Sequence, residues 1–304
     1  MDTMNRRTYL GGSDTAAILG LSPWKSPLEL YLEKIGEAPE QAPDPAREKV
    51  LNRGKRWEPV VIEMLLDELR SRGHEVEVIA RNHRYQDADL PYLAAEIDLE
   101  LRIDGEDVNG EMKTVHPFAA KAWGEPGSDE IPVYYTAQVM HGLMVQPRPR
   151  CIVAALIGAD DLRIHEVRRD ADIIASIRAS EVEFWRRVQE RDPPPVRTAA
   201  DALILFPQDA GTVAEASADV LAAFNRLREL KSRAKDIDAD ITALEDVVKA
   251  HMLDAATLAS GGQVLATWRA QTARRFDQKA FKAAHADLAE QFTVASVSRV
   301  FRIK

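Results

Sequence analysis

Cysteine is nearly absent from the 304-residue sequence, and Cys151 is the only one. A single cysteine excludes an internal disulfide and a zinc site built on cysteine ligands. The sequence also lacks any run approaching the roughly 18 apolar residues that a membrane span needs. No apolar signal core follows Met1. We therefore expect a protein of the reducing cytoplasm.

The sequence also has no excess of basic residues over acidic ones. The sequence has 40 basic and 49 acidic residues, which gives a net charge of −9. This balance argues against a nonspecific coat on nucleic acid. It does not exclude a local basic groove, because binding depends on how the charge is distributed. The residues that are present, 45% hydrophobic and 29% charged, are typical of a globular protein.

The proline-rich stretch Asp192–Pro195 marks the clearest domain boundary, because consecutive prolines end a helix and cannot join a sheet. We predict a core domain over residues 1–192, a linker over 193–213 and an extension over 214–304. The length of the chain suits a core domain with such an appendage.

The extension is rich in alanine and in charged residues. Its segment Ala214–Leu258 has apolar residues at helical intervals and predicts one long helix or a helical hairpin. Gln263–Arg269 and Thr293–Ile303 predict strands of a small terminal sheet, with a helix over Asp277–His285 between them. No metal or nucleotide motif occurs there, and alanine-rich helices of this kind usually pack or oligomerise.

The core domain alternates strand and helix patterns. Short apolar or alternating runs predict strands, and a longer period near 3.6 predicts helices. The predicted elements are a strand over His74–Ala80, a helix over Ile131–Val145, strands over Cys151–Gly158 and Leu162–Val167, and a helix over Asp170–Arg191.

The segment Tyr92–Val115 predicts a β-hairpin, because Asp104-Gly105 separates two alternating runs. On the first strand, Glu96, Asp98 and Glu100 share one face. On the second strand, Glu111 and Lys113 share a face, with Met112 on the opposite side. If the two polar faces coincide, carboxylates from both strands converge beside one ammonium group.

Converging carboxylates repel one another unless a positive charge lies between them. A hard divalent cation is the usual solution, and Mg²⁺ typically binds one or two carboxylates together with water and phosphate oxygens. A neighbouring lysine can orient or activate a water, as phosphate-ester hydrolysis requires. The alternative is a solvated strand face with incidental ion pairs. Asp104 and Asp107 are rival candidates for the metal-binding aspartate.

The N-terminal segment Arg6–Gly20 has a basic pair, then Gly11-Gly12 and Ser13. Ser13 is predicted to cap a short helix, and free N–H groups at such a start suit a phosphate. An ordinary capped helix is the alternative. Ser26 to Glu29 has the spacing of a capping box and begins a second helix. Trp24 is interpreted as a core anchor rather than a base-stacking surface.

A long helix is predicted over Pro45–Arg72, and its first part carries five basic residues and one acidic residue over Arg47–Arg56. Arg53, Lys55 and Arg56 are candidates for contacts with DNA phosphates, or they solvate a helix face. Glu58, taken by itself, is typical of a surface glutamate.

These motifs carry a resemblance to a known nuclease family. Asp98 with Glu111-Met112-Lys113 resembles the PD-(D/E)XK nuclease signature. The segment GGSDTAAILGLSPWKSPLELYLEKIGE and the GKxxE pattern ending at Glu58 resemble the YqaJ-type viral recombinases, relatives of the phage lambda exonuclease. The resemblance covers about residues 5–190.

The resemblance implies an α/β fold in which helices flank a mixed central sheet. It also implies a Mg²⁺ site, with Mn²⁺ as an alternative metal. The implied metal ligands are Asp98, Glu111, the Met112 carbonyl and Glu58. The implied catalytic set adds Lys113, which orients or deprotonates the attacking water, and Gln138, which helps to position the water or the lysine. The implied contacts with DNA phosphate are Arg6 and Ser13, with Arg7 as the alternative to Arg6, beside the basic Arg53 and Lys55. His141 is interpreted as a satisfied helix residue rather than a ligand.

The function implied by the resemblance is a 5′→3′ exonuclease that digests duplex ends for recombination in the cytoplasm, which for a phage protein is that of the host. A single-strand annealing protein is the implied partner, and a homotrimer is one implied assembly. The alternatives are an endonuclease or repair nuclease of the same fold, and a non-catalytic DNA-binding or assembly protein with a degenerate site.

Overall fold

The computed structural model describes residues 5–38, 44–295 and 297–303. The proline-rich loop over residues 39–43 lies outside the described residues. Two 3-10 turns occupy Arg6–Thr8 and Pro117–Ala122. The other elements, in chain order, are α1 (Gly12–Ile18), α2 (Pro27–Ile35), α3 (Pro45–Ser71), β1 (Val76–Gln86), β2 (Ala94–Ile103), β3 (Glu106–Val115), α4 (Val133–Val145), β4 (Arg150–Ile157), β5 (Asp161–Arg168), α5 (Ala171–Glu190), α6 (Ala199–Leu205), α7 (Ala218–Met252), β6 (Thr257–Ser260), β7 (Gln263–Thr267), α8 (Gln278–Ala284) and α9 (Ala286–Gln291).

A mixed five-stranded sheet in the order β1-β2-β3-β4-β5 forms the centre of the first part of the chain. Strands β3 and β4 are parallel, and the other neighbouring pairs are antiparallel. A parallel pair needs a crossover, and α4 supplies it. The predicted α/β fold with a mixed sheet flanked by helices is confirmed.

The β2–β3 hairpin turns at Asp104-Gly105, where both residues have positive φ angles of 52° and 87°. Two consecutive positive φ angles are the signature of a type I′ turn, whose twist matches that of the paired strands. The Asp104 carboxylate accepts a hydrogen bond from the Glu75 N–H and pairs with the His74 ring. The predicted hairpin is therefore present, and the Asp104 carboxylate is engaged by Glu75 and His74 at its tip.

The two faces of the sheet are covered by different helices. On one face, α3 packs an apolar core against β2, β3 and β4. On the other face, α4 lies over β2, β3 and β4 and contacts α1 and α5. Because side chains alternate along a strand, Leu99 and Met112 face α3, and their neighbours Asp98 and Glu111 face the α4 side.

Two predictions near the N-terminus are wrong. Gly11, not Ser13, caps α1, and the Asp14 carboxylate accepts the Gly11 N–H. Trp24 is 63% exposed and so is not a core anchor. The capping box of Ser26 and Glu29 at the start of α2 is confirmed.

The chain divides into two compact units, Met1–Ala202 and Leu203–Lys304. The predicted linker contains α6, whose Asp201 accepts a hydrogen bond from Ser26. In the second unit α7 is one continuous helix, so the helical-hairpin alternative is wrong.

The small two-stranded sheet is present, but β7 pairs with β6 rather than with Thr293–Ile303. None of the described residues in Thr293–Ile303 lies in a strand. Within residues 5–38, 44–295 and 297–303, no helix is long and apolar enough to span a membrane.

Candidate active site

The candidate site lies where strands β2 and β3 diverge. Their antiparallel register runs from Ile103 opposite Glu106 to Leu99 opposite Gly110. Beyond that point, the Met112 N–H donates to Asp98 Oδ2 at 2.9 Å instead of to a strand neighbour. The diverging strands place Asp98 and Glu111 at a cleft between the sheet and the helices above it.

Gly110 allows the strands to approach closely just before they part. A Cβ atom at this position would lie 3.1 Å from the Leu99 Cβ atom and 3.2 Å from its carbonyl oxygen. These separations are tighter than ordinary van der Waals contact, so a larger residue would push β3 away from β2. Asn109 and Gly110 are a polar pair that the sequence alone suggests as a loop, but they lie inside β3. The structure explains the glycine by the narrow gap between strands.

Lys113 joins Glu111 to a residue from α4. Its ammonium group donates hydrogen bonds to Glu111 Oε1 and, at 3.2 Å, to Gln138 Oε1. The Gln138 side-chain amide also donates to Glu111 Oε1 at 2.7 Å. The Lys113 ammonium lies 4.7 Å from the centre of the Tyr135 ring. The structure thus brings Glu111, Lys113 and Gln138 into one hydrogen-bonded triangle.

The electrostatics of the cleft show an excess of negative charge. Burial, and then repulsion from Glu111, raise the pKa of Asp98 well above its usual value, although Lys113 and the Met112 N–H oppose the shift. Burial disfavours the Lys113 ammonium, but the charges of Glu111 and Asp98 outweigh it and raise the pKa of Lys113. Two carboxylates therefore share one ammonium group, and a further cation beside them would stabilise the ionised form of Asp98.

The residues fit a hard divalent cation only in part. In the described portion of the chain, no three histidine, cysteine, aspartate or glutamate side chains are already grouped to hold a metal. Asp98 and Glu111 supply two carboxylates, which is the usual protein contribution to a Mg²⁺ site completed by water and phosphate. Glu58 from α3 accepts a hydrogen bond from Asn82 at 3.0 Å, and its charge also raises the pKa of Asp98.

The rival aspartates do not line this cleft. Asp104 lies at the hairpin tip with His74, and Asp107 pairs with Arg102. Glu100 shares the strand face of Asp98, but it is fully buried in a separate cluster with Tyr85 and Arg148. Its hydrogen bond contributes, after burial, to raising the pKa of Tyr85 to about 12. Of the predicted acidic row, Glu96 and Asp98 are the members that reach the cleft.

The opposite wall of the cleft comes from the N-terminal turn. The cleft encloses about 200 Å³ and is lined there by Arg6 and Ser13. The Arg6 guanidinium donates to Ser13 Oγ at 3.1 Å and to Asp14 Oδ1 at 2.8 Å. A Cβ atom at Gly12 would lie 3.1 Å from Gln138 Cγ, so glycine allows the start of α1 to abut α4. The two predicted phosphate contacts therefore face the carboxylate strands.

A buried ion pair holds this N-terminal turn. The Lys34 ammonium donates to Asp14 Oδ2 at 2.8 Å and to the main-chain oxygens of Arg6 and Tyr9. Burial lowers the pKa of Lys34, and the Asp14 carboxylate opposes that shift. All three N–H groups of the Lys34 ammonium donate hydrogen bonds, and these bonds hold the turn that carries Arg6 and Ser13 in place.

Arg84 is a cleft residue that sequence reasoning missed. Its guanidinium lies 3.9 Å from the centre of the Tyr9 ring. Its Nε and Nη2 atoms are buried, and no hydrogen-bond partner for them exists among the described residues. The predicted first strand ended at Ala80, whereas β1 continues to Gln86 and carries Arg84 into the cleft. The sequence around Arg84 contains no signal that would have singled it out.

Arg53 and Lys55 stand apart from the cleft. Both lie on α3, and Arg53 lines a separate surface groove with Arg56 and Trp57. Their predicted contact with DNA phosphate stays a prediction.

His141 anchors α4 from inside the protein. It is fully buried, its Nδ1 atom donates to Glu181 Oε1 at 2.8 Å, and its Nε2 atom donates to the Ala94 oxygen at 2.9 Å. With Glu181 ionised both partners are acceptors, so the doubly protonated ring is the form that satisfies both contacts. Burial opposes that charge, but Glu181 and the Ala94 oxygen raise the pKa of His141 above 6.5. The interpretation of His141 as a satisfied helix residue agrees with this geometry.

Replacing Glu181 with alanine is expected to lower the free energy of unfolding by about 3–5 kcal/mol, because it leaves a buried charge without its partner. The pair's contribution is present below pH 6.5 and is lost as the pH rises through the raised pKa of His141. Urea unfolding at several pH values measures both effects. Glu183→Ala on the same helix is the control, since Glu183 is about half exposed. Equal losses for the two variants would contradict the anchoring role.

A comparison with protein families gives a match over the first half of the chain. Residues 3–148 match the family model described as YqaJ-like viral recombinase domain. The YqaJ protein of Bacillus subtilis (strain 168) is 29% identical over 312 residues, which cover 99% of this chain and 92% of that protein.

Two similar solved structures are exonucleases. An alkaline exonuclease from Laribacter hongkongensis is 15% identical, with a TM-score of 0.46, over 61% of this chain and 90% of that one. A phage-related exonuclease from Haemophilus somnus 129PT is 13% identical, with a TM-score of 0.40, over 60% of this chain and 96% of that one.

Proposed function

We propose that the protein is a metal-dependent deoxyribonuclease, starting from the match of residues 3–148 to the YqaJ-like viral recombinase domain. One observation carries the proposal: Asp98 and Glu111 line the same cleft as Arg6 and Ser13. Carboxylates suited to a cation and phosphate-binding groups in one cleft match the needs of phosphodiester hydrolysis.

The proposed metal is Mg²⁺, held by Asp98 and Glu111, with the Met112 carbonyl and Glu58 as further ligands. When bound, such a cation would supply Lewis-acid polarisation of a phosphate oxygen and lower the pKa of a water. Lys113 orients the attacking water. Burial lowers the pKa of Lys113, but the charges of Glu111 and Asp98 outweigh burial and raise it, so the side chain keeps its proton. Gln138 holds the Lys113 ammonium against Glu111 and so fixes its direction.

The proposed substrate is the end of a DNA duplex. Arg6 and Ser13 bind the terminal 5′ phosphate, and Arg84 adds a guanidinium whose buried Nε and Nη2 donors have no partner in the described structure. Charge-assisted hydrogen bonds of this type are short and strong. Recognition of a 5′ phosphate sets a 5′→3′ polarity. The product is a 3′-terminated single strand, which an annealing protein would take up in recombination.

Digestion of linear and covalently closed circular duplexes with Mg²⁺ tests end dependence. We expect linear DNA to be degraded to mononucleotides and single strand, whereas closed circles stay intact. Cutting of closed circles would indicate an endonuclease of the same fold. Absence of turnover on both substrates, with Mg²⁺ and with Mn²⁺, would favour a non-catalytic DNA-binding protein.

Replacing Arg6 with alanine is expected to remove a preference for 5′-phosphorylated over 5′-hydroxyl ends of about 10–100-fold, the worth of one or two charge-assisted hydrogen bonds. Initial rates on the two ends measure the preference. Ser13→Ala should weaken it less, because it leaves the guanidinium in place. Arg7→Ala is the matched control, since Arg7 does not line the cleft. An enzyme indifferent to the 5′ phosphate would contradict this role.

A further inference from the structure

Helix α7 carries a regular apolar seam that faces solvent. The helix has 35 residues, a length of about 52 Å at the usual rise. Apolar side chains recur along it at alternating spacings of three and four residues. Many of them are exposed, among them Ile237 at 54% and Leu244 at 67%. The two rows of the seam are Val220, Leu227, Ala234, Ile241 and Val248, and Ala223, Leu230, Ile237 and Leu244, with the polar His251 at the end of the second row.

An average spacing of 3.5 residues over about five heptads is the pattern of a coiled coil. An ordinary helix on a globular surface follows a period of 3.6 and covers its stripe with its own core. Here the stripe is exposed along a helix whose only buried described residue is Met252. A contiguous apolar surface of this length marks an interaction site.

We propose that a second copy of this chain covers the seam, with the two α7 helices packed antiparallel about a twofold axis near the middle of the helix. In that arrangement the first-row residues of one helix meet the second-row residues of the other. Leu227 packs on Leu244 of the second copy, and Leu230 packs on its Ile241. Every layer occurs twice, as a twofold axis requires.

Side-chain size favours the antiparallel arrangement. A parallel pair in register would place Ala234 on Ala234 and Ala223 on Ala223, which leaves two underpacked layers. The antiparallel pair places Ala234 on Ile237 and Ala223 on Val248, so each small residue meets a larger one. Alternation of large and small residues across facing positions fills a core better than matched small ones.

The charges that flank the seam favour the same orientation. Antiparallel packing places Arg233 beside Asp240 of the second copy and Lys231 beside its Glu245, each twice. Flanking positions of this kind set orientation and partner choice in coiled coils. The remaining like-charge contact is Asp238 with its own copy at the axis.

Parallel packing would bring like charges together at two of the three charged flanking contacts. Arg226 would face Lys231, and Asp240 would face Glu245; only Arg233 with Asp238 would attract. Glu245 pairs with Lys249 of its own helix in the structure, at a fully exposed site. An exposed pair within a helix contributes little and does not prevent a second contact across the seam. This inference is independent of the proposed nuclease activity.

The oligomeric state of the full chain tests the proposal first. Sedimentation equilibrium at micromolar concentration should give a dimer. The double variant Leu230→Asp with Ile241→Asp should give a monomer, because it places charges in the centre of the seam. The control, Ser232→Asp with Ala239→Asp, alters the opposite side of α7 and should leave the dimer intact. A monomeric wild-type chain, or an assembly that survives the seam variant, would overturn the proposal.

Single cysteines report the orientation, because the natural Cys151 is buried and does not react. With a short bis-maleimide, Asp238→Cys should cross-link at the twofold axis. Ala223→Cys should not, because its two copies would be about 37 Å apart in the antiparallel dimer. Cross-linking of Ala223→Cys instead of Asp238→Cys would show a parallel pair and sink the antiparallel assignment.

A charge exchange tests the flanking contacts in variants that leave the apolar seam untouched. Arg233→Glu or Asp240→Lys alone should weaken dimerisation by roughly tenfold, since each turns two attractions into repulsions. The double variant should restore wild-type dimerisation, because the two exchanged charges again attract each other across the antiparallel interface. Additive weakening in the double variant would contradict the proposed pairing.

Discussion

Replacing Lys113 with alanine is expected to lower Mg²⁺-dependent digestion of linear duplex DNA by about 10²–10⁴-fold, the usual effect of removing a positioned acid–base group. Lys113 contacts both Glu111 and Gln138, so its loss removes the ammonium group and leaves Glu111 with the Gln138 amide as its partner in this triangle. The effect should appear in kcat, because the lysine acts on the water rather than on the DNA. Single-turnover digestion of end-labelled duplex measures it.

Two comparisons make the Lys113 result specific. Lys279→Ala, at an exposed position on α8 of the second unit, should leave the rate unchanged. Gln138→Ala should lower the rate less than Lys113→Ala, because the lysine keeps its contact with Glu111. Undiminished turnover in folded Lys113→Ala protein would remove the catalytic assignment and leave a DNA-binding role as the better interpretation.

Replacing Asp98 with asparagine is expected to abolish cleavage and also to stabilise the metal-free protein by about 0.5–2 kcal/mol, as is common when a strained site residue is neutralised. Burial and the charge of Glu111 disfavour the ionised carboxylate, and asparagine removes that repulsion. The asparagine oxygen still accepts the Met112 N–H, so the local geometry is kept. Thermal unfolding without metal measures the gain.

Mg²⁺ separates this explanation from a general stabilisation. The ion should raise the unfolding temperature of the wild type, because a ligand that binds only the folded state stabilises it. It should have little effect on Asp98→Asn. Asp107→Asn is the matched control on the same hairpin; Asp107 pairs with Arg102 and does not line the cleft. If Mg²⁺ stabilised Asp98→Asn as much as the wild type, Asp98 would not be a metal ligand.

Local sequence signals correctly predicted the hairpin and the alternation of its side chains. Asp104-Gly105 can adopt two positive φ angles, and strict alternation put Met112 on one face of β3 with Glu111 and Lys113 on the other. The capping box at Ser26 was equally readable. Each of these features depends on residues only a few positions apart, so the local sequence is sufficient to predict it.

Contacts between segments that are far apart in the chain could not be predicted from the local sequence. The predicted proximity of Gln138 to Lys113 came from family resemblance, and the α4 crossover produces it. Arg84 enters the cleft because β1 continues past Ala80 while it pairs with β2. Trp24 is a large aromatic residue, which favoured a place in the core, yet it is 63% exposed.

The sequence by itself determined the strands and helices of the core, the tight turn and the alternation of charge along β2 and β3, because short-range geometry is set by each residue and its neighbours. The tertiary structure decided which of those charges meet, how deeply Asp98 is buried and what faces it across the cleft. Burial and convergence depend on how the α4 crossover and the N-terminal turn close over the sheet, and those contacts join residues far apart in the chain.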